Sequence, residues 1–589
     1  MAIRMKAFQN TGRAARRGRI WVVALAVAAA IGLTVGPAPA WAEKARPKIG
    51  KTLSGNYLAG RHAQASRDLS AAADYLGAAL RKSPKTPDLL RRTFILLTIE
   101  GRVKEATDLA RRLIALKPEA SIANLALAVD DFKRGRYAAV RKRLDGLSKT
   151  GLINFLAPVL RAWSLMGEKQ SEAALKALEP GTKEKAAQAL HRLHAALINE
   201  ILNRKDEAEK QYLAVNNNED DRSIRVVHLL GALYERTGRP DKARALYENY
   251  LSEQPGSGLL DVALGRLKSG TKPRPEVVSV RDGAAEALFD IASSLRQQNA
   301  RETALVLGRL ALYLKPRFPA MLILLGDLLE SDDRLEPAMA VYSSIDRKSA
   351  FSWPARNRVA SILDRLERTE EALKHLRRMA SEREKDAGPS INLADILRSH
   401  DRFAEAVKAY DQAFKRIPVL EPRHWTLLYA RGISLERSNR WPKAETDFLE
   451  ALKLKPDQPY VLNYLGYSWI EKGSNLERAQ EMIQKAAELR PNDGYIIDSL
   501  GWAQYKLGNF EKAAGHLERA VELRPQDPII NDHLGDAYWR VGRRREAGFQ
   551  WQRSLTLDAE DDLAAKIGQK LKKGLGEDTE TAKKTPNDG

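Results

Sequence analysis

The sequence predicts an all-α solenoid of about fourteen stacked repeats, and three observations predict it. The stretch DSLGWAQYKLGNFEKAAGHLERAVELRP, Asp498 to Pro525, returns thirty-four residues later as DHLGDAYWRVGRRREAGFQWQRSL. Aligned on Gly501, the set Gly501, Gly508, Ala513, Leu517, Ala520 recurs at the same offsets as Gly535, Gly542, Ala547, Trp551, Ser554. The same pattern fits Gly60, Ala72, Leu76, Ala79, Pro84; Gly231, Gly238, Ala243, Tyr247, Pro255; and Gly432, Ala444, Phe448, Ala451, Pro456. Units start near 53, 87, 121, 153, 189, 224, 285, 319, 353, 387, 425, 459, 494 and 528, and the four starts from 285 to 387 keep strict spacing. A small residue midway along a helix lets two helices touch backbone to backbone while large apolar neighbours fill the gaps. Proline then stops the second helix.

Along the chain, residues 1–42 read as a signal peptide. Arg4, Lys6, Arg13, Arg16, Arg17 and Arg19 precede the apolar run Ile20 to Val35, and Ala40-Trp41-Ala42 offers cleavage before Glu43. Loss of those six charges lowers the net charge from +21 to +15. The expected location is the periplasm or the outer-membrane periphery. With no cysteine, the chain has neither disulfides nor a lipidated N-terminus, so any envelope attachment is noncovalent. Paired arginines (Arg91-Arg92, Arg111-Arg112, Arg377-Arg378) are scattered and read as solvated helix faces. An exported basic chain meets acidic envelope surfaces rather than nucleic acid.

An N-terminal arm spans 43–255. From 256 to 284 the period lapses into five glycines, two prolines and a run of valines, which reads as a linker holding one short helix near Leu259 to Leu267. A C-terminal arm follows over 285–559. Leu563, Ile567 and Leu571 lie four apart amid lysines, the pattern of a cap helix over 560–576, and 577–589 is a polar tail expected to be disordered.

The repeats resemble the tetratricopeptide repeat family, whose unit is two antiparallel helices stacked into a right-handed superhelix. In that family the second, fifth, ninth, twelfth and thirteenth residues of each first helix line the concave face. The resemblance therefore implies a partner-binding groove of Tyr460, Asn463, Tyr467; Tyr495, Asp498, Trp502, Tyr505; and Asp532, Asp536, Trp539, Arg540. Aromatics there give contact area at low entropic cost, and Asn, Asp and Arg can pair an extended backbone. Tyr464, Trp469, Tyr538 and Trp551 fall at packing positions instead. The family's carboxylate clamp places Lys fifth and Asn ninth; here Asn463 and Tyr467, then Asp498 and Trp502, hold those places, so an acidic C-terminal client is not expected.

Nothing in the sequence calls for a catalytic site, a cofactor or a metal. His191 and His194 share a helix face but have no cysteine partner and read as surface or packing residues. Asp130-Asp131 and Asp332-Asp333 fall at helix junctions and read as turn acids. Gly256 to Gly258 lacks the Lys-Ser/Thr pair of a phosphate loop. The expected function is a noncatalytic envelope scaffold or adaptor for protein or peptide partners. The second arm is similar to large Gram-negative envelope tetratricopeptide proteins, some of which deliver cell-wall-hydrolase clients to a carboxyl-terminal processing protease. The alternatives are an assembly scaffold for exopolysaccharide or pilus secretion, and an enzyme whose site the sequence does not reveal.

Overall fold

Fourteen left-handed residues punctuate the chain at intervals near one repeat: Arg67, Gly101, Gly135, Lys169, Asn203, Gly238, Asn299, Asp333, Glu367, Asp401, Asn439, Gly473, Gly508 and Gly542. Each closes the first helix of a pair and turns the chain into the second. The computed structural model describes residues 47–147, 151–179, 185–217, 223–254, 259–557 and 559–576, so the leader and the tail lie outside the described residues.

Among the described residues all regular structure is helical. The first six pairs are α1 (Leu53–Ala65) with α2 (Leu69–Lys82), α3 (Pro87–Ile99) with α4 (Val103–Leu116), α5 (Ser121–Lys133) with α6 (Tyr137–Asp145), α7 (Leu152–Gly167) with α8 (Ser171–Leu178), α9 (Lys185–Ile201) with α10 (Lys205–Asn216), and α11 (Ile224–Arg236) with α12 (Pro240–Glu253). The single helix α13 (Asp261–Ser269) follows. Pairing resumes with α14 (Val280–Gln297) and α15 (Arg301–Leu314), α16 (Pro319–Ser331) and α17 (Leu335–Ser343), α18 (Ser352–Arg365) and α19 (Thr369–Glu382), and α20 (Gly388–Ser399) and α21 (Phe403–Phe414). The last pairs are α22 (Trp425–Arg437) with α23 (Trp441–Leu454), α24 (Pro459–Lys472) with α25 (Leu476–Leu489), α26 (Gly494–Lys506) with α27 (Phe510–Leu523), and α28 (Pro528–Arg540) with α29 (Arg544–Thr556). Helix α30 (Asp561–Lys573) closes the series where a cap was expected.

The chain forms two compact units, one reaching to Ala372 and one running from Leu373. That division falls inside α19 and not at the 256–284 segment. In the first unit α14 and α15 lie against α3, α5, α7 and α9, covering the face made by the first helices of those pairs. Gly283, counted in the sequence as a linker glycine, sits on the ring of buried Trp163, and a Cβ there would collide with the indole. It belongs to α14, whose N-cap Ser279 accepts from the Asp282 amide. The seam is polar as well as apolar. Buried Arg225 of α11 donates to Glu286 of α14 at 2.6 and 2.8 Å and to Glu276 at 2.5 Å. Arg309 donates to the Ile99 carbonyl at 2.7 Å, Lys133 to the Tyr313 carbonyl at 2.6 Å, and the Tyr313 hydroxyl to Asp130 at 3.2 Å. Arg92, read as a solvated arginine, pairs with Glu302 at 2.6 Å.

One other sequence reading changes here and one narrows. Asp130 and Asp131 are not turn acids: they lie buried in the last turn of α5, held by Arg111, Arg134, Arg136 and Arg143, because buried carboxylates need paired charge. Of the two readings left open for His191 and His194, surface or packing, the structure shows packing. His191 Nδ1 lies 3.0 Å from the Leu178 carbonyl, while His194 accepts from Trp163 Nε1 at 3.0 Å and faces Asp290 at 3.2 Å.

In the second unit the core runs through Phe448, Trp469, Ile483, Leu500 and Ile530, and continues through Leu517, Leu534 and Trp551 to Ile567 of α30. Three of its pairs are locked by a glycine facing a bulky side chain sixteen residues on. A Cβ at Gly432 would stand 2.6 Å from Phe448, at Gly501 2.6 Å from Leu517, and at Gly535 2.5 Å from Trp551 Nε1. Gly535→Ala is therefore expected to lower stability by about 1 to 3 kcal/mol through overpacking. Gly548→Ala has nothing within 4 Å of the new Cβ and is expected to raise stability by about 0.5 to 1 kcal/mol. Urea midpoints of the two variants check both signs.

Candidate protein-interaction groove

On α24, Tyr460, Asn463, Tyr467 and Glu471 lie three or four apart and so share one face. Tyr495, Asp498, Trp502 and Tyr505 repeat that stripe on α26, and Ile529, Asp532, Asp536 and Trp539 on α28. Side chains join the stripes. Trp502 Nε1 donates to Glu471 of α24 at 2.8 Å. Its ring stacks on Tyr505 (4.7 Å between centroids, 4° between planes) and on His533 of α28 (3.9 Å, 14°). His533 Nδ1 stands 2.9 Å from Asp498, and Arg540 donates to the Tyr505 hydroxyl at 3.3 Å. Burial works against an imidazolium at His533, but the charges of Asp498, Asp532 and Asp536 outweigh it and raise its pKa.

These contacts place four of the eleven expected groove residues in packing within the chain. Trp502, expected to stand free as a groove anchor, is 9 % exposed, because it fills the space between neighbouring first helices. Asp532 and Asp536 serve the cap instead of a partner: Lys570 of α30 reaches Asp532 at 2.8 Å and Asp536 at 2.7 Å. Asp536 also accepts from Trp551 Nε1 at 2.8 Å, since a buried indole N–H needs an acceptor. Trp539 lies beneath Gly574, where the chain leaves α30 with φ of +69°, and it packs on Trp551 at 5.4 Å. The cap helix thus covers the α28 end of the face. Tyr460, Tyr467 and Tyr495 remain half-buried on the open part, together with Asn463. Burial, then the charges of Glu471 and Asp498, push the Tyr467 hydroxyl pKa well up. Asn463 is 5 % exposed, and its Oδ1 accepts no hydrogen bond from the described residues.

The same register extends the face to residues the sequence reading left out. On α22 it places Tyr429, Ile433 and Arg437, all half-buried, and on α20 Ile391, Asp395 and Arg398. Asp395 accepts from Tyr410 at 2.6 Å, as Asp327 of the first unit accepts from Tyr342 at 2.6 Å. The signal that finds them is the thirty-four-residue period alone, which sets no limit at the last three pairs.

Models of the tetratricopeptide repeat match residues 57–121 and 391–459 and, in a further variant, 224–267, and a TPR repeat model matches 501–542. The chain is 27% identical over 150 residues to the TPR repeat-containing protein PA4667 of Pseudomonas aeruginosa, a match covering 25% of this chain and 24% of that protein. The chain thus spans about a quarter of that relative's length. Among solved structures, the APC/C hetero-tetramer Cut9-Hcn1 is 15% identical over 89% of this chain and 97% of that one, with a TM-score of 0.36. YrrB, described as a TPR protein with an unusual peptide-binding site, is 21% identical over 33% of this chain and 97% of its own, at a TM-score of 0.26. MamA from Desulfovibrio magneticus RS-1 is 20% identical over 30% and 97%, at 0.26.

The cap contact carries a pH dependence. Burial and the neighbouring charge of Asp532 push the Asp536 carboxyl from 3.8 up to about 6, against the pull of Lys570. A carboxyl with a raised folded-state pKa holds its proton better folded than unfolded, so its contribution to stability falls as pH rises from about 4 to 6. Above that window Lys570 is the charge that makes the pair of carboxylates tolerable. Lys570→Met is expected to cost about 3 kcal/mol near pH 7.5 and distinctly less near pH 5, where Asp536 is protonated. Urea melts at the two pH values test this, and equal losses would mean that Lys570 acts only through its aliphatic stem.

Proposed function

The chain is a tetratricopeptide repeat protein, and from that premise we propose that it is a noncatalytic scaffold that holds an extended segment of a protein partner across α20, α22, α24 and α26. Asn463 carries this reading. A buried carboxamide oxygen without a donor costs about 1 to 3 kcal/mol, and a rotation of the Asn463 side chain, whose Oδ1 lies beneath the surface in this structure, would let the backbone N–H of an extended segment laid between Tyr460 and Tyr467 satisfy it. The half-buried tyrosines on either side supply apolar area with few rotors to freeze.

The same proposal puts the scaffold in the periplasm or at the outer-membrane periphery, on the basis of the leader-like residues 1–42. There it acts as an adaptor that brings clients to an envelope protease or to cell-wall machinery. A charge of +15 beyond the leader favours peripheral contact with acidic envelope surfaces.

Selection of displayed random peptides on the immobilised chain, followed by affinity measurement on variants, tests the groove. Asn463→Ala is expected to weaken a selected peptide at least tenfold, about 1.4 kcal/mol, while leaving Tm unchanged or higher, since it removes an unsatisfied group. Trp502→Ala should instead cost about 3 kcal/mol of stability, because its ring packs between helices. Full-strength peptide binding by Asn463→Ala would sink the groove reading.

A further inference from the structure

We propose that the N-terminal end of the first repeat, the lead-in at 47–51 and the outer face of α1 with the C-terminal end of α2, docks on an anionic lipid surface. The proposal deepens the peripheral envelope contact suggested above and rests on that part of it, not on the groove.

Large apolar side chains are exposed here within a short stretch: Ile49, Leu53, Tyr57 and Leu58, the last at 65 %. On a helical projection Leu53, Tyr57, Arg61 and Leu58 span one continuous arc, while Asn56, Gly60 and Ala63 hold the opposite arc against α2. The arrangement is built rather than frayed. Buried Asn56 pins the lead-in by a reciprocal pair, accepting from the Gly50 amide at 2.8 Å and donating to the Gly50 carbonyl at 2.9 Å. Thr52 then caps α1 by accepting from Gly55 at 3.1 Å. Ile49 and its neighbours Lys48 and Lys51 are thereby fixed beside the helix.

Charge selects the occupant. Lys48 and Lys51 at the start of α1 are joined by Arg81, Lys82 and Lys85 where antiparallel α2 ends, and all five are exposed. Between residues 47 and 87 the carboxylates are Asp68 and Asp74. Both are engaged: Asp68 caps α2 by accepting from Ala71 at 3.0 Å, and Asp74 pairs with Arg102 at 2.5 Å. An apolar arc with an interfacial tyrosine, ringed by five cations against one exposed acid beside them, Asp88 in the first turn of α3, fits the boundary of an anionic bilayer, where apolar side chains enter the headgroup layer and lysines meet phosphate. No helix among the described residues is long and apolar enough to cross a membrane, so docking is from the surface.

The test is sedimentation of the full chain with vesicles of phosphatidylcholine alone or containing about one-third phosphatidylglycerol, at low salt and at about 0.5 M salt. Binding to the anionic vesicles should exceed binding to neutral ones at least tenfold and weaken in high salt. Leu53→Ser with Leu58→Ser, and separately Lys48→Glu with Lys51→Glu, should each lower it about tenfold with unchanged circular dichroism, because these side chains are exposed. Equal binding by all three proteins would overturn the proposal and assign membrane affinity to other residues. So would light scattering in which the leucine variant converts a dimer to a monomer without changing vesicle binding, since the apolar arc would then serve a second copy. Peptide binding by the groove is read separately, so failure here leaves that reading standing.

Discussion

The contact on which the rest depends is the one between a small residue at the eighth position of each first helix and a bulky side chain sixteen residues later. Gly60 meets Leu76, Gly231 Tyr247, Gly326 Tyr342, Gly432 Phe448, Gly501 Leu517 and Gly535 Trp551. What is kept is the combined volume and not the glycine: buried Phe94 and Ala110 hold the two places in reverse, and Ala394 faces the place of Tyr410. Gly466 meets Ile483 at seventeen. The extra residue lies in the Gly473–Asn475 turn, where two positive-φ residues absorb it before α25 begins. The loop takes up the insertion so that the helix crossing survives.

That crossing dictates where charge goes. When the bulky residue is Tyr or Trp, its polar tip is carried into the core and requires an acceptor on the first helix beside the small residue or one turn beyond it. Asp327, Asp395 and Asp536 fill that need for Tyr342, Tyr410 and Trp551, each fifteen residues before its aromatic. Glu200 and Glu235 do so from one turn further on for Tyr212 and Tyr247. Where the ninth residue is that acceptor, as with Asp327, Asp395 and Asp536, it is a packing position and is not open to a ligand. Tyr467 is not such a case, for its pair is closed by aliphatic Ile483.

The helix pairs were legible because each is encoded by size at fixed spacing, and the helices begin close to the starts read from Gly, Ala and Pro. The turns were less so. Eight of the fourteen left-handed residues are not glycine; five of these are Asn or Asp, which carry a turn signature, but Arg67, Lys169 and Glu367 do not, and the helix crossings on either side impose their conformation. The cap helix was legible from its stripe of Leu563, Ile567 and Leu571, but not the use of Lys570, since a lysine beside an apolar stripe reads as solvated. At the candidate groove, helical register showed which residues share a face. It could not show that Trp502 would stack on His533, because that depends on the lateral spacing of α26 and α28. Nor does local periodicity report that α14 and α15 return to α3 and α7, a contact between elements some two hundred residues apart.

The two units use the same inner face in different ways. In the first, a further helix pair of the chain covers that face on α3, α5, α7 and α9, and the seam is closed by buried ion pairs such as Arg225 with Glu286 and by backbone carbonyls receiving Arg309 and Lys133. A partner would have to break those pairs and leave charges buried, at a cost of about 3 to 5 kcal/mol for each. Among the described residues of the second unit, only the α28 end is covered, by α30 and Lys570. From α20 to α26 the face keeps half-buried tyrosines and one unsatisfied carboxamide, which is the state in which a neighbouring strand of polypeptide adds hydrogen bonds without displacing any. On the proposed function, an array that closes this face on itself in one unit and leaves the equivalent face open in the other would bind its partner on the open face, which carries Asn463.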